Sequence, residues 1–273
     1  MDPAAGLTAL AYASGVTVAL MVAIYVCSHL LLRYGLVPLS AAFSFSGFNV
    51  PLFYLLILPG TVVHELSHVL ACLMTGVHVR DVRLFSPQAN GVVGWVTHDT
   101  ADPLRRGFIA LAPFLGGSVA IYALIRFVLP PTEVDPLTSQ PVDLALGFKA
   151  AAATIVGIVR SSNLHEPKTW FGLYLLFSLG YAVAPSRQDL HHLVAGGLMV
   201  IGLIMSVIVI DGWFQLRLMQ NGLINNAAAN VAVALQHLNA LLMLACAGIA
   251  LGTAVIVPVA VLSYWLRRSL AAR

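Results

Sequence analysis

The chain places two histidines and a glutamate, His64, Glu65 and His68, in the middle of an otherwise apolar run, LPGTVVHELSHVLACLMTGV, residues 58–77. On a helix, residues four apart share a face, so His64 and His68 can offer imidazole nitrogens to one metal ion while Glu65 stands beside them. This is the H-E-x-x-H spacing, in which the histidines hold zinc and the glutamate moves a proton. The apolar setting sharpens the reading. Ionisable groups at the centre of a membrane helix cost about 2.5–3.5 kcal/mol each even on the insertion scale, and mark functional sites by default. Between Arg33 and His78 these three are the only titratable polar side chains apart from Tyr and Cys. The plainer alternative is two core histidines bonded to backbone carbonyls, with Glu65 kept protonated by burial.

A catalytic zinc usually takes three protein ligands and leaves the fourth position to water, so a third ligand is needed. Among the acidic residues, only Asp189 lies where two apolar helices meet with almost no loop between them, in GYAVAPSRQDLHHLVAGG. Pro185 cannot continue a regular helix, so the chain should break there and turn Asp189 inward. Broken helices at membrane depth are tolerated where they line a polar cavity. The competing role for Asp189 is a capping carboxylate on the next helix. His191 and His192 are read as solvent-facing rather than as ligands, and His29, His78, His98, His165 and His237 have no partner in the pattern.

These residues need a scaffold that suits lipid. The chain has 273 residues, 59% hydrophobic and 9% charged, with a mean hydropathy of +0.90, too few charges to cover a water-soluble surface. The expected fold is an all-α polytopic membrane protein with about six transmembrane helices, near 8–32, 50–76, 107–129, 169–185, 190–210 and 239–265. It forms one membrane domain, 1–273. The first helix and its connection occupy 1–49, the metal-binding core 50–210, and an interfacial helix with the last span 211–273. The first run lacks a basic leader-type flank and is too long for a leader core, so it is read as a span. Residues 77–98 alternate apolar with polar around a Pro and Gly turn, which predicts a small β hairpin at the membrane surface. Residues 130–143 are a proline-rich loop, and 144–160 read as a re-entrant or interfacial helix.

The remaining composition excludes several functions. A net charge of +3 with scattered basic residues gives no nucleic-acid surface. Cys27, Cys72 and Cys246 stand singly in apolar runs, without disulfide or thiolate-zinc spacing. Six spans put both termini on one side, and the basic residues beside the second and third spans place that side in the cytoplasm. Lack of an import signal favours a prokaryotic cytoplasmic membrane.

HELSHVLACLMTGV in an apolar helix, the short strand region after it, ALAPFLGG at 110–117 and APSRQDL at 184–190 resemble the site-2 protease family of intramembrane zinc metalloproteases. The resemblance covers roughly residues 50–210. It implies Zn²⁺ held by His64, His68 and Asp189, with Glu65 as catalytic base. It implies an intramembrane zinc metalloendopeptidase that hydrolyses a peptide bond in or near a transmembrane segment of a substrate protein. The family's aspartate motif commonly reads N-x-x-P-x-x-x-x-D-G. Here Ala182 takes the Asn place, Pro185 precedes Asp189 by four residues and Leu190 replaces Gly, while Ala112 stands where A-G-P would have Gly. Ser186 is the residue assigned to the missing Asn role, and no PDZ-like domain is present. Two other readings stay open: a protease-like membrane scaffold without turnover, and a zinc transporter, which would need successive ligand sets along a path.

Overall fold

The computed structural model describes residues 5–31, 33–34, 52–86, 93–129, 165–186, 188–196 and 222–271, with scattered positions in 149–160 and 199–206. It is mostly helical. The elements, in chain order, are α1 (Ala5–Leu31), α2 (Leu52–Thr75), β1 (Val79–Arg83), β2 (Trp95–His98), α3 (Pro103–Phe127), α4 (Pro167–Ala182) and α5 (Gly222–Ala271). A helical segment at 188–196 follows α4.

Four helices are long and apolar enough to cross a membrane, at Gly6–Leu31, Tyr54–Thr75, Pro103–Phe127 and Asn226–Ala250, which makes this a membrane protein. Large apolar side chains remain exposed around them, among them Val18, Leu70, Leu73, Val119 and Phe127. In lipid such a surface is solvated rather than penalised.

The six-span expectation is met only in part. The expected span at 169–185 corresponds to α4, whose sixteen residues rise about 24 Å, short of a hydrocarbon core of about 30 Å. It lies against α2, α3 and α5 as the central helix of the bundle. The expected span at 190–210 and the re-entrant segment at 144–160 lie largely outside the described residues, as does the loop at 130–143. At the C-terminal end, α5 runs for 50 residues, and its described part includes a membrane-length stretch at Asn226–Ala250 that overlaps the expected span at 239–265. An interfacial helix separate from the last span is therefore not what residues 222–271 form. Asn225, Asn226 and Asn230 lower the hydropathy of that stretch without interrupting the helix.

One buried core joins α1, α3, α4 and α5, including Leu20, Ile24, Phe114, Ile121, Leu176 and Leu242. A polar clasp ties α1 to α5 within it. Thr17 Oγ1 lies 2.8 Å from Asn239 Oδ1, and Asn239 Nδ2 donates to the Ala13 carbonyl at 3.1 Å. Interhelical hydrogen bonds of this kind in membrane proteins are worth about 0.6 kcal/mol on average and up to about 1.7.

The helix that carries His64 and His68 is anchored at both ends. Pro59 has no N–H, so the carbonyl four residues earlier, Leu55, lacks its helical donor. Tyr174 Oη of α4 donates to that carbonyl at 2.5 Å. At the other end, Gly76 adopts φ +68°, the Val77 N–H returns to the Cys72 carbonyl at 2.8 Å, and the chain turns into β1. β1 pairs antiparallel with β2, with Val82 opposite Val96 and Arg83 opposite Trp95. The two strands expected in this region are present as a small antiparallel sheet. Its outer positions are polar: Trp95 Nε1 donates to Asp81 Oδ2 at 3.0 Å, and Arg80 pairs with Asp99. Asp102 then caps α3, accepting from the amides of Leu104 and Arg105 at 3.1 Å each. The hydrogen bond from the Arg105 amide chiefly lowers the Asp102 carboxyl below its ordinary range.

Candidate metal centre

His64 and His68 lie one turn apart on α2, and the helical segment after α4 brings Asp189 onto the same point. The His64 and His68 Nε2 atoms are 3.3 Å apart. Asp189 Oδ2 is 3.6 Å from His64 Nε2, and Oδ1 is 3.5 Å from His68 Nε2. All three residues are largely shielded from water.

Each ring is oriented by its other nitrogen. His64 Nδ1 donates to the Ala182 carbonyl at 2.7 Å, and His68 Nδ1 donates to the Ile109 carbonyl at 3.0 Å. Both acceptors are carbonyls that the local sequence leaves free. Pro113 interrupts α3 and supplies no N–H, so Ile109, four residues before it, has no helical donor. Ala182 is the last residue of α4, where carbonyls lack intrahelical partners. The residue four beyond it, Ser186, directs its N–H to Asp189 Oδ2 at 2.8 Å instead.

Asp189 is held by a reciprocal cap. Its carboxylate accepts from the Ser186 amide, and the Ser186 hydroxyl accepts from the Asp189 amide at 3.1 Å. This is the capping-box arrangement read from S-R-Q-D, with aspartate in the third helical position. Asp189 is therefore not the N-cap residue; Ser186 is. The capping and ligating roles of Asp189 are compatible, because Oδ1 and the remaining lone pair of Oδ2 face the imidazoles.

With both Nδ1–H groups committed to carbonyls, the two Nε2 atoms and the carboxylate present only lone pairs to one another. Such a converging set of acceptors suits a cation held between them. Tetrahedral ligands about 2.0–2.1 Å from a zinc ion lie about 3.3–3.4 Å from one another. The observed 3.3–3.6 Å separations match that spacing. His64, His68 and Asp189 thus form a cluster that can hold a metal ion, the one such cluster among the described residues.

Glu65 sits beside the cluster, 7% exposed. Gly94, which leads into β2, closes over it: a Cβ added there would meet Glu65 Cγ at 2.9 Å and the Arg83 carbonyl at 2.9 Å. Two cavities meet at this point, both touching His64, Glu65, Gly94 and Ser186. One, of about 320 Å³, opens toward α1 past Tyr25, Ser28 and His29. The other, of about 440 Å³, runs under the hairpin past Val96, His98, Arg106 and His192.

Several sequence expectations change here. Ser186 caps the segment through its hydroxyl oxygen and also lines both cavities. Ala182, where the resemblance would expect Asn, supplies the carbonyl that orients His64. His192 lines the hairpin-side cavity, His29 the α1-side cavity, and His191 is exposed as expected. Gly60 is a point of contact: its N–H donates to Ser178 Oγ at 2.9 Å, and its lack of a Cβ lets α2 and α4 touch. Gly116 packs against Ser67, as close approach of α3 to the motif helix requires.

No protein-family model matches the chain, and searches of curated proteins and of solved structures return no match.

Proposed function

We propose that the chain is an intramembrane zinc metalloendopeptidase of the site-2 protease type, acting on a transmembrane segment of another protein. The observation that carries this reading is the convergence of His64 Nε2, His68 Nε2 and the Asp189 carboxylate, each preset by a backbone hydrogen bond, beside a buried Glu65. Outer hydrogen bonds of this kind fix ring orientation and are typical of metal ligands.

Zinc in such a site lowers the pKa of a coordinated water toward about 7 and polarises a carbonyl. The chain's own part is positional and acid–base. The Glu65 carboxylate accepts a proton from the attacking water and returns it to the departing amide nitrogen. Its burial beneath Gly94 keeps bulk water from competing for that proton. A regular helix conceals its carbonyls, so the substrate must unwind locally to reach the site. β2 pairs on one side with β1 and has no second strand partner among the described residues, so its other edge is suited to hold an unwound segment by main-chain pairing.

The test is metal content of the detergent-purified protein beside His64→Ala, Asp189→Ala and Glu65→Gln. About one zinc per chain, lost in the first two and retained in Glu65→Gln with cleavage abolished, supports the enzyme. Metal retained with no difference in turnover between wild type and Glu65→Gln would favour the scaffold. A transporter draws less support, because the described residues hold one ligand cluster rather than a succession.

A further inference from the structure

The two cavities that meet at Glu65 differ in their lining, because only the hairpin-side cavity holds Arg106 and Asp189. Arg106 lies in the first turn of α3, the positive end of the helix dipole, where a cation is disfavoured. Its neighbour Arg105 points outward and pairs with the capping Asp102 at 3.2 Å. Arg106 has no ion pair among the described residues. Its Nε is buried without a hydrogen-bond partner, in the wall of the hairpin-side cavity. Two carboxylates line the same cavity: Asp189 is committed to Ser186 and the two histidines, and Glu65 makes no ion pair with Arg106. A guanidinium presents several donors in a planar fork suited to a carboxylate, and its buried Nε is costly to leave without a partner. The α1-side cavity contains no Lys or Arg among its lining residues.

We infer that the cavity beneath the hairpin is a carboxylate subsite, in which Arg106 selects substrates carrying an acidic group on one side of the scissile bond. The inference rests on the proposed metallopeptidase reading and adds its substrate class. The apolar part of the substrate enters past α1, the scissile carbonyl lies at His64, Glu65 and His68, and the carboxylate reaches Arg106. The carboxylate belongs to an acidic side chain or to the substrate's C-terminus. These two sources use the same chemistry. An anionic lipid headgroup is disfavoured, because Arg106 faces the cavity that holds the metal ligands, whereas exposed Arg105 faces outward.

Binding of peptide hydroxamates to the zinc-loaded full chain in detergent tests this without a known substrate. Three probes share one chelating group and one apolar arm. They end in a glutamate side chain with an amidated terminus, in the corresponding glutamine, or in the glutamine with a free terminal carboxylate. Wild type should bind one of the carboxylate probes at least roughly tenfold more tightly than the neutral probe, the low end for a hydrogen bond to a charged group. The preferred probe identifies the source. Arg106→Gln should erase the preference while leaving neutral-probe affinity and zinc content unchanged, Arg106→Lys should keep part of it, and Arg105→Gln should keep all of it. Equal affinity of all three probes for wild type, or a preference that survives in Arg106→Gln, would overturn the carboxylate subsite alone. Failure of the neutral probe to bind zinc-loaded wild type would overturn the metal-centre reading and the subsite with it.

Discussion

Ser186 and Asp189 cap each other across the first turn of the segment that follows α4, with the Ser186 amide 2.8 Å from Asp189 Oδ2 and the Asp189 amide 3.1 Å from the Ser186 hydroxyl. The carboxylate is thereby aimed at the histidines before any ion arrives. Ser186→Ala removes one of the two bonds and should weaken metal affinity by about 10-fold or more, the usual scale for losing an outer-shell contact. Ser186→Thr should restore it. Competition with a chromophoric chelator measures both, and unchanged affinity in Ser186→Ala would show that the cap does not support the site.

Asp189→Asn should separate stability from metal binding. The amide can accept from Ser186 as the carboxylate does, and its NH₂ group can donate toward a histidine Nε2, now 3.5–3.6 Å from the carboxylate. Metal should be lost. The metal-free variant should nevertheless melt no lower than metal-free wild type, because a donor relieves the crowded acceptors. Thermal unfolding in detergent after chelator treatment provides the comparison, and a clearly lower melting temperature would contradict it.

Gly60→Ala should disturb the metal site from a distance. A Cβ at Gly60 would collide with the Ser178 carbonyl and come within 2.7 Å of Ala182 Cβ, on the same α4 end that orients His64. Overpacking of this kind costs about 1–3 kcal/mol, and the displaced Ala182 carbonyl should also lower metal affinity. Gly94→Ala should do the reverse. Metal stays bound, while the added methyl presses on Glu65 and lowers turnover. Finding metal loss in Gly94→Ala but not in Gly60→Ala would invert the assignment.

Asn239→Leu removes the clasp to Thr17 and Ala13 from the far side of the bundle. Destabilisation of about 1 kcal/mol is expected from the lost interhelical bonds, with metal content unchanged. Unfolding midpoints and zinc analysis check the two parts separately.

The metal cluster was legible in the sequence because two kinds of local rule coincide. Four-residue spacing puts His64 and His68 on one face, and Pro185 stops a helix just before Asp189. The acceptors that orient the histidines were missed, although their signal is present. Pro113 marks Ile109 as a free carbonyl, and the break near Pro185 marks Ala182. Counting four residues back from each intrahelical proline would have found Ile109 and also Leu55, the partner of Tyr174. Which donor takes each freed carbonyl is a matter of helix packing, and no local pattern encodes it. Arg106 was likewise read only as part of a charge count, because the side of the helix it faces depends on where the hairpin folds. The stretch after 212 suggested an interfacial helix, whereas residues 222–271 form one helix in which Asn239 is bonded to α1. The hairpin itself was visible from its alternation and turn residues.

The histidines on α2 take their orientation from carbonyls on two different helices, Ile109 on α3 and Ala182 on α4. An ion at that point would act as a rivet through three helices, and by reciprocity whatever shifts those helices must change how tightly it is held. Metal affinity therefore doubles as a strain gauge for the bundle. A thinner bilayer, or a substrate wedged beneath the hairpin, would register as a change in zinc dissociation even where no ligand atom is touched.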